Sequence, residues 1–343
     1  MRDSSGWLEH SGPDSDVVLS CRARLARNVA GFPFVCKASP AQRTELMSLA
    51  RRAILDSHLE ETMLWVELNQ ATPRDRKLLV ERHLISSQLA EGDAPRAVAV
   101  SGNESLSVMV NEEDHLRIQV LMAGSQIQGA FARVNEVDEA LDQRLEFAFS
   151  QRYGYVTACP TNVGTGLRLS VMVHLPALKL TGEIERLRRA SKELHLAVRG
   201  YFGEGSESVG DFYQISNQVT LGQTEEQLLS EFRDQIVPQL IEYERASRTV
   251  LRERRERLLD DRVFRALGLL QNVRLLGLDE AMKLLSRVRL GAHTGRITGI
   301  EAGAIDRLLP QIQAAHLQQI AGAQLGAEEL KEARADLVRR TLA

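Results

Sequence analysis

The stretch Val17-Val18-Leu19-Ser20-Cys21-Arg22-Ala23-Arg24 restricts this chain more than any other. Its alternation has the period of a strand, with Val17, Leu19, Cys21 and Ala23 on one face and Val18, Ser20, Arg22 and Arg24 on the other. A strand with one wholly apolar face belongs in a sheet that covers a core. Two arginines on its other face cannot be buried without an anionic partner. A phosphate chain is one such partner, because the planar guanidinium fork matches phosphate oxygens. Carboxylates in structural ion pairs are the other, and the spacing alone leaves both open.

Composition narrows the setting. With 343 residues, 43% of them hydrophobic, the chain can bury a large core in one or two domains. A formal net charge of −3 gives no electrostatic case for nucleic acid or an anionic membrane. No apolar run is long enough to span a bilayer, and the polar start from Met1 to Ser15 lacks the apolar core of a signal peptide. Cys21, Cys36 and Cys159 are odd in number and scattered, which argues against a disulfide framework or a zinc site and fits a reducing cytoplasm.

The texture changes near residue 224. Before it, short alternating stretches and glycine turns predict a mixed α+β domain over 1–223; after it the pattern is helical to 343. Thr224 and Gln227 read as a capping box that opens the change. Leu240, Ser247, Leu251 and Leu258 recur on one helix face, and Glu253/Arg257 and Arg252/Glu256 are spaced to pair on its solvent side. Asp279 is placed to cap a helix carrying Met282, Leu284, Leu285 and Val288, which Gly291 would stop. Further helices are expected over 300–309, 312–320 and 328–340.

Three more segments of the first part carry chemistry. In Ser105 to Leu121, two alternating stretches flank Asn111-Glu112-Glu113-Asp114-His115; Leu116, Ile118 and Val120 face one way, Arg117 and Gln119 the other. Three adjacent carboxylates make either a solvated turn or a carboxylate held near a phosphate-binding arginine. His115 reads as a structural hydrogen-bonding residue. In Thr157 to Leu175, Gly164 and Gly166 mark a tight loop feeding a strand, with Arg168, Ser170, Met172 and His174 on one side. Cys159 at its mouth is a small buried hydrophobe unless arginines make it a thiolate. In Arg199 to Gln218, four glycines make a loop, either a simple connection or a cover over a nucleotide, before a short strand at 212–215. No Walker or eukaryotic protein-kinase signature is present, so nucleotide binding here would have to be arginine-based.

Together, SCRARLARNVAGFPF, NEEDHLRIQ, CPTNVGTGLRLSV and RGYFGEGSE, in that order over roughly 16–222, resemble the catalytic domain of the guanidino kinases. Within that superfamily the chain is most similar to the bacterial protein arginine kinases. Only fifteen residues precede the first motif strand, where classical arginine and creatine kinases carry a helical domain of about a hundred, a typical domain size. That helical domain supplies the loop that closes over a free amino acid, so the short start implies a site open to a protein side chain. The helical C-terminal part is a second shared feature.

The resemblance implies an eight-stranded antiparallel sheet flanked by helices, then an all-α domain that mediates dimerisation. It implies ATP and Mg²⁺ as cofactors, with Arg22, Arg24, Arg117, Arg168 and Arg199 cradling the phosphates. The nucleotide-contacting stretches correspond to Ser20, Cys21, Arg22, Ala23 and Arg24; to Arg168, Leu169, Ser170, Val171 and Met172; and to Arg199, Gly200, Tyr201, Phe202, Gly203 and Glu204. His83, in ERHLIS, corresponds to a histidine near the adenine. Glu113 matches the catalytic base, Glu204 a second carboxylate gripping the guanidinium, and Cys159 the cysteine beside it. The family's R-D-x-x-R-A motif, which binds phosphoarginine, corresponds to Leu330–Ala335, where Arg334 and Ala335 are kept but Leu330 and Lys331 replace Arg and Asp; sensing of phosphoarginine there is not expected. Implied partners are protein substrates, a zinc-binding activator, a AAA+ unfoldase–protease and a stress-response repressor. A free-guanidine phosphagen kinase and a non-catalytic phosphoarginine-binding adaptor are the competing readings.

The chemistry sets its own demand. A guanidinium has a pKa above 12 against about 4.3 for a glutamate, so complete proton transfer before attack would cost roughly 11 kcal/mol. Glu113 is therefore expected to take the proton only as the N–P bond forms; a glutamate pKa raised by burial would help modestly.

Overall fold

The computed structural model describes Trp7 and residues 12–202 and 209–343. The first strand, β1 (Val18–Arg27), lies inside an eight-stranded sheet in which every neighbouring pair is antiparallel. It is followed by α1 (Pro40–Asp56), β2 (Met63–Glu67), α2 (Pro73–Glu81), α3 (Ser87–Ala90), β3 (Ala97–Ser101), β4 (Leu106–Val110) and β5 (Leu116–Ala123). Next come α4 (Ile127–Asp142), a two-stranded hairpin of β6 (Phe149–Ser150) and β7 (Gly154–Tyr155), then β8 (Leu167–His174). The sheet is completed after α5 (Pro176–Thr181) and α6 (Ile184–Glu193) by β9 (Leu196–Gly200) and β10 (Phe212–Asn217). The strand order is β2-β3-β4-β5-β1-β8-β10-β9, so β1 sits in the interior, between β5 and β8.

One face of this sheet is dry. Cys21, Ala23 and Leu25 of β1, Leu116, Ile118 and Val120 of β5, and Leu169, Val171 and Val173 of β8 are all buried there. α1 and α4 cover them through residues such as Leu46, Ile54, Phe131 and Val134. Each large aliphatic side chain buried in this way contributes about 1.5–3 kcal/mol. The other face carries the polar half of the alternation, and it is the face that holds the site.

The helical part runs α7 (Glu225–Glu231), α8 (Val237–Arg254), α9 (Glu256–Asn272), α10 (Leu278–His293), α11 (Ala302–Gln311), α12 (Ala314–Ala321) and α13 (Ala327–Thr341). Thr224 and Gln227 form the expected capping box at the start of α7. A π-turn at Phe232–Ile236 joins α7 to α8, with Val237 N–H bonded to Phe232 O, just before Pro238, which has no N–H to give. Leu228, Phe232, Val237 and Leu240 belong to the core under the sheet. A second core gathers Leu259, Val263, Met282, Leu285 and Val288 with Tyr201 and Phe212 from the sheet domain.

Several local expectations are corrected. The helix through Leu240, Ser247, Leu251 and Leu258 is two helices, broken at Arg255 (φ −135°, ψ 35°). The break turns Glu256 toward Arg296, which it meets at 3.0 Å, rather than toward Arg252. Asp279 lies in the first turn of α10, whose N-cap is Gly277. Gly291 does not stop α10, which continues to His293; a Cβ there would stand 2.4 Å from Val263, so this glycine permits close helix packing. The last three helices begin and end within two residues of the expected bounds.

Candidate active site

Antiparallel register lines up the polar face row by row. Arg24 of β1 stands between Gln119 of β5 and Arg168 of β8, and Arg22 is directly opposite Ser170. Ala26 pairs with Arg117, and Gln214 of β10 pairs on one side with Met172 and on the other with Arg199. Strand alternation thus brings Arg22, Arg24, Arg117, Arg168 and Arg199 to one face. Burial lowers the pKa of Arg22 to about 10, helped by the charges of Arg117, Arg199 and Arg168. Burial and then the charge of Arg22 hold Arg24 well below its ordinary value too. Arg24 Nε is buried with no hydrogen-bond partner among the described residues. Arg27, on the opposite face, is the contrast: it is fully buried, paired with Asp138 at 2.8 Å and stacked 3.5 Å from the Tyr155 ring centroid. The structural ion pairs that one reading gave Arg22 and Arg24 are not seen among the described residues: Arg24 lines the cleft and Arg22 a smaller pocket on the same face.

The cleft has a volume of about 480 Å³, and Arg24, Glu113, Arg117, Cys159, Arg168 and Arg199 line it. The Asn111–His115 turn beside it is not a solvated one. Glu112 and Asp114 are buried, and only Glu113 is open, at 33% side-chain exposure. Glu112 accepts from Arg117 at 2.6 Å and from Ser86 Oγ. Asp114 accepts from Asn28 Nδ2 at 2.7 Å and from Ala158 N–H at 2.6 Å, which ties the end of β1 and the approach to Cys159 to this turn. His115 is structural, as expected: its Nδ1 accepts from Val29 N–H and its Nε2 meets Pro33 O, both at 2.9 Å. Glu113 lies 3.3 Å from Arg117. Burial raises its carboxyl pKa above the ordinary value; Arg117 opposes the rise, and the neighbouring Asp114 and Glu112 add to it.

Cys159 opens the short 3₁₀ turn Pro160–Asn162. Its thiol contacts Thr161 Oγ1 at 3.0 Å and lies near enough to Glu113 to oppose the rise in its pKa. Asn162 accepts from Arg168 at 3.2 Å. Gly164 then takes φ +111° against the backbone of Thr220, where a Cβ would lie 2.3 Å from the carbonyl oxygen. No other residue can lay the loop so flat.

A smaller pocket adjoins the cleft, lined by Ser20, Arg22, His83, Met172 and Tyr201 among others. The His83 ring stands edge-on to Trp7 and to Tyr201, with centroids 5.4 and 5.1 Å away. Burial, followed by the charges of Arg22 and His316, lowers its pKa to about 3, so the ring is neutral, and its Nε2 has no partner among the described residues. Phe202 packs edge-on against Tyr201 at 5.3 Å, and Gly200 pairs with Tyr213 across the strands.

Not every expected contact residue reaches these spaces. Cys21, Ala23, Leu169 and Val171 point into the core, because a contiguous stretch of strand alternates faces; burial pushes the Cys21 thiol up to about 12. Gly203 and Glu204 lie outside the described residues. In the Leu330–Ala335 stretch, Arg334 is buried and donates to Ile312 O and Leu276 O, each at 2.7 Å. Among the described residues no cluster of His, Cys, Asp or Glu could hold a metal ion, and no helix is long and apolar enough to cross a membrane. Gln119, Asn162 and Glu112 were not among the expected site residues, although Glu112 belongs to the carboxylate cluster and Gln119 shares a face with Arg117.

The comparisons with known proteins agree along the whole chain. Residues 45–247 match the ATP:guanido phosphotransferase C-terminal catalytic domain, and residues 256–343 match the protein-arginine kinase McsB C-terminal domain. Curated proteins named protein-arginine kinase are similar throughout: that of Halothermothrix orenii is 42% identical over 99% of this chain and 97% of its own length, and that of Symbiobacterium thermophilum is 45% identical over the same shares. Among solved structures, lombricine kinase superposes with a TM-score of 0.60 at 27% identity, over 71% of each chain. The duplicated taurocyamine kinase of Schistosoma mansoni, with bound transition-state analogue components, gives a TM-score of 0.62 at 30% identity, over 67% of this chain and 33% of that one. This chain is thus an enzyme of the protein-arginine kinase family, built on the guanidino kinase catalytic fold.

Proposed function

We propose that the chain transfers the γ-phosphoryl group of ATP to the guanidinium of arginine side chains in proteins. The observation that carries this reading is the buried Arg24 Nε, a donor without an acceptor among the described residues, on a face shared with Arg22, Arg117 and Arg168 and beside the cleft that Arg24 lines with Glu113. In this reading the arginines hold the triphosphate and neutralise the charge that spreads during transfer, while His83 lies toward the base. Mg²⁺ would enter with the phosphates, held by their oxygens, and would supply further charge neutralisation there.

Glu113 receives the acceptor proton as the nitrogen bonds to phosphorus, and the nucleotide leaves as ADP. Arg117 holds Glu113 from one side and Cys159 from the other. Glu204 is assigned to the second grip on the guanidinium by resemblance. The helical part from residue 224 is proposed as a dimerisation and regulatory unit, although α7 and the start of α8 share the core of the sheet. Marking proteins for degradation in the cytoplasm, with a zinc-binding activator and a AAA+ unfoldase–protease as partners, belongs to the same proposal.

The test is to supply Mg²⁺ and ATP with either free arginine or an unfolded protein. ATP turnover with the protein and none with free arginine supports the reading. The reverse would favour a free-guanidine kinase, the activity named for the lombricine and taurocyamine enzymes of the same fold.

A further inference from the structure

We propose that Glu81 and Arg82 are positioning residues through which helix α12 of the C-terminal part sets the nucleotide pocket. Three consecutive residues at the end of α2 divide their work. The Glu81 carboxylate accepts from the backbone N–H groups of Ala315 and His316, each at 3.0 Å, and from His316 Nδ1 at 2.9 Å. α12 has no side-chain cap of its own, so a residue 235 positions away along the chain supplies one. Arg82 closes the ring: its Nε donates to His316 Nε2 at 3.3 Å, and its Nη1 pairs with Glu104. All four of these side chains are buried.

The next residue, His83, leaves the helix with φ +57° and lines the small pocket with Arg22. Its carbonyl accepts from Gln119 Nε2 at 2.8 Å, and Gln119 Oε1 accepts from Arg22 at 3.3 Å. A continuous set of short contacts therefore runs from α12 through Glu81 and Arg82 to His83, and on to a phosphate-binding candidate. α12 is held in turn by α13, since Arg334 donates to Ile312 O just ahead of it. A left-handed non-glycine residue persists only where its surroundings hold it, and at His83 the clamp on the two preceding residues is part of that hold. Releasing α12 loosens His83 and Arg22 together.

The proposal rests on the reading of the two adjoining spaces as a nucleotide site, and the experiment separates the two. Binding of ADP with Mg²⁺ to the full-length chain is measured by calorimetry for the unaltered protein, His316→Ala, His316→Asn, His83→Ala and His316→Ala/His83→Ala, with folding followed by circular dichroism. His316→Ala leaves Glu81 on its two backbone donors, so α12 keeps its cap; Glu81→Gln serves as the second variant should it misfold. We expect His316→Ala to weaken nucleotide binding about five- to tenfold and to raise the KM for ATP while kcat at saturating ATP is little changed. His316→Asn, which can still donate to Glu81, should restore part of the loss. In the His83→Ala background the His316→Ala change should cost less than in the unaltered protein, because the part carried by the His83 ring is already gone and only the part reaching Arg22 through the residue 83 carbonyl remains. Full additivity, or unchanged binding by His316→Ala and Glu81→Gln, would overturn the coupling. No nucleotide binding by the unaltered chain would overturn the reading beneath it as well.

Discussion

Arg24 and Arg168 stand directly opposite each other on neighbouring strands, two like charges in a cross-strand pair. Such pairs oppose folding, and here Arg22 and Arg117 add further positive charge to the same face. An anion bound between them would remove that cost.

Relieving the repulsion should therefore stabilise the empty protein while harming its binding. Arg24→Gln is expected to raise stability by up to about 1 kcal/mol and to weaken nucleotide binding strongly. Thermal unfolding with and without ADP checks both halves. The nucleotide should raise the Tm of the unaltered chain far more than that of the variant.

Glu113 makes the same point with the opposite charge. Its folded pKa lies above the ordinary glutamate value, chiefly through burial, so ionising it opposes folding. The stability that Glu113 contributes is full below the ordinary carboxylate range and is lost as pH rises through the raised value. Glu113→Gln should thus fold at least as stably at pH 7, bind nucleotide as before, and lose about 10²–10⁴-fold in turnover. In the unaltered enzyme, activity should fall as acid protonates Glu113, with the limb above pH 4.5.

Cys159 lines the cleft with Glu113 and favours its ionised form, as a thiol hydrogen bond to the carboxylate would. Removing one hydrogen bond to a charged group is worth about 1.5–3 kcal/mol, so Cys159→Ala should slow transfer by about tenfold or more. Nucleotide affinity should be retained. Full activity of that variant in steady-state assays would leave the thiol a packing role only.

Gly164→Ala should cost at least about 1–3 kcal/mol from the left-handed backbone alone, and the clash with Thr220 O adds to it. Urea denaturation reads the loss. Activity should fall beyond it, since this loop carries Cys159 and Asn162 into the cleft.

The strands and their charged faces were legible because alternation is a local property. Arg22 and Arg24 fall on one face by counting alone, and so do Arg117 and Gln119. The same counting excludes Cys21, Ala23, Leu169 and Val171 from the cleft, which a motif taken as a continuous stretch had hidden. Thr224 and Gln227 were legible as a cap for a similar reason, since their bonds close within one turn. Arg255 and Gly291 were not: the break at one and the continuation through the other depend on which helices pack across them. Least legible of all was Glu81 on His316, a contact between elements far apart in sequence with no shared motif. Sequence order orders the elements but does not say which distant ones meet.

The central claim is that the cleft phosphorylates a guanidinium, and product chemistry tests it most directly. An unfolded protein incubated with the enzyme, ATP and Mg²⁺ should be analysed by mass spectrometry under neutral conditions, which spare N–P bonds. The account predicts phosphate on arginine with the unaltered enzyme and almost none with Glu113→Gln. Phosphate mainly on lysine, serine or tyrosine, or undiminished phosphoarginine from the variant, would contradict it.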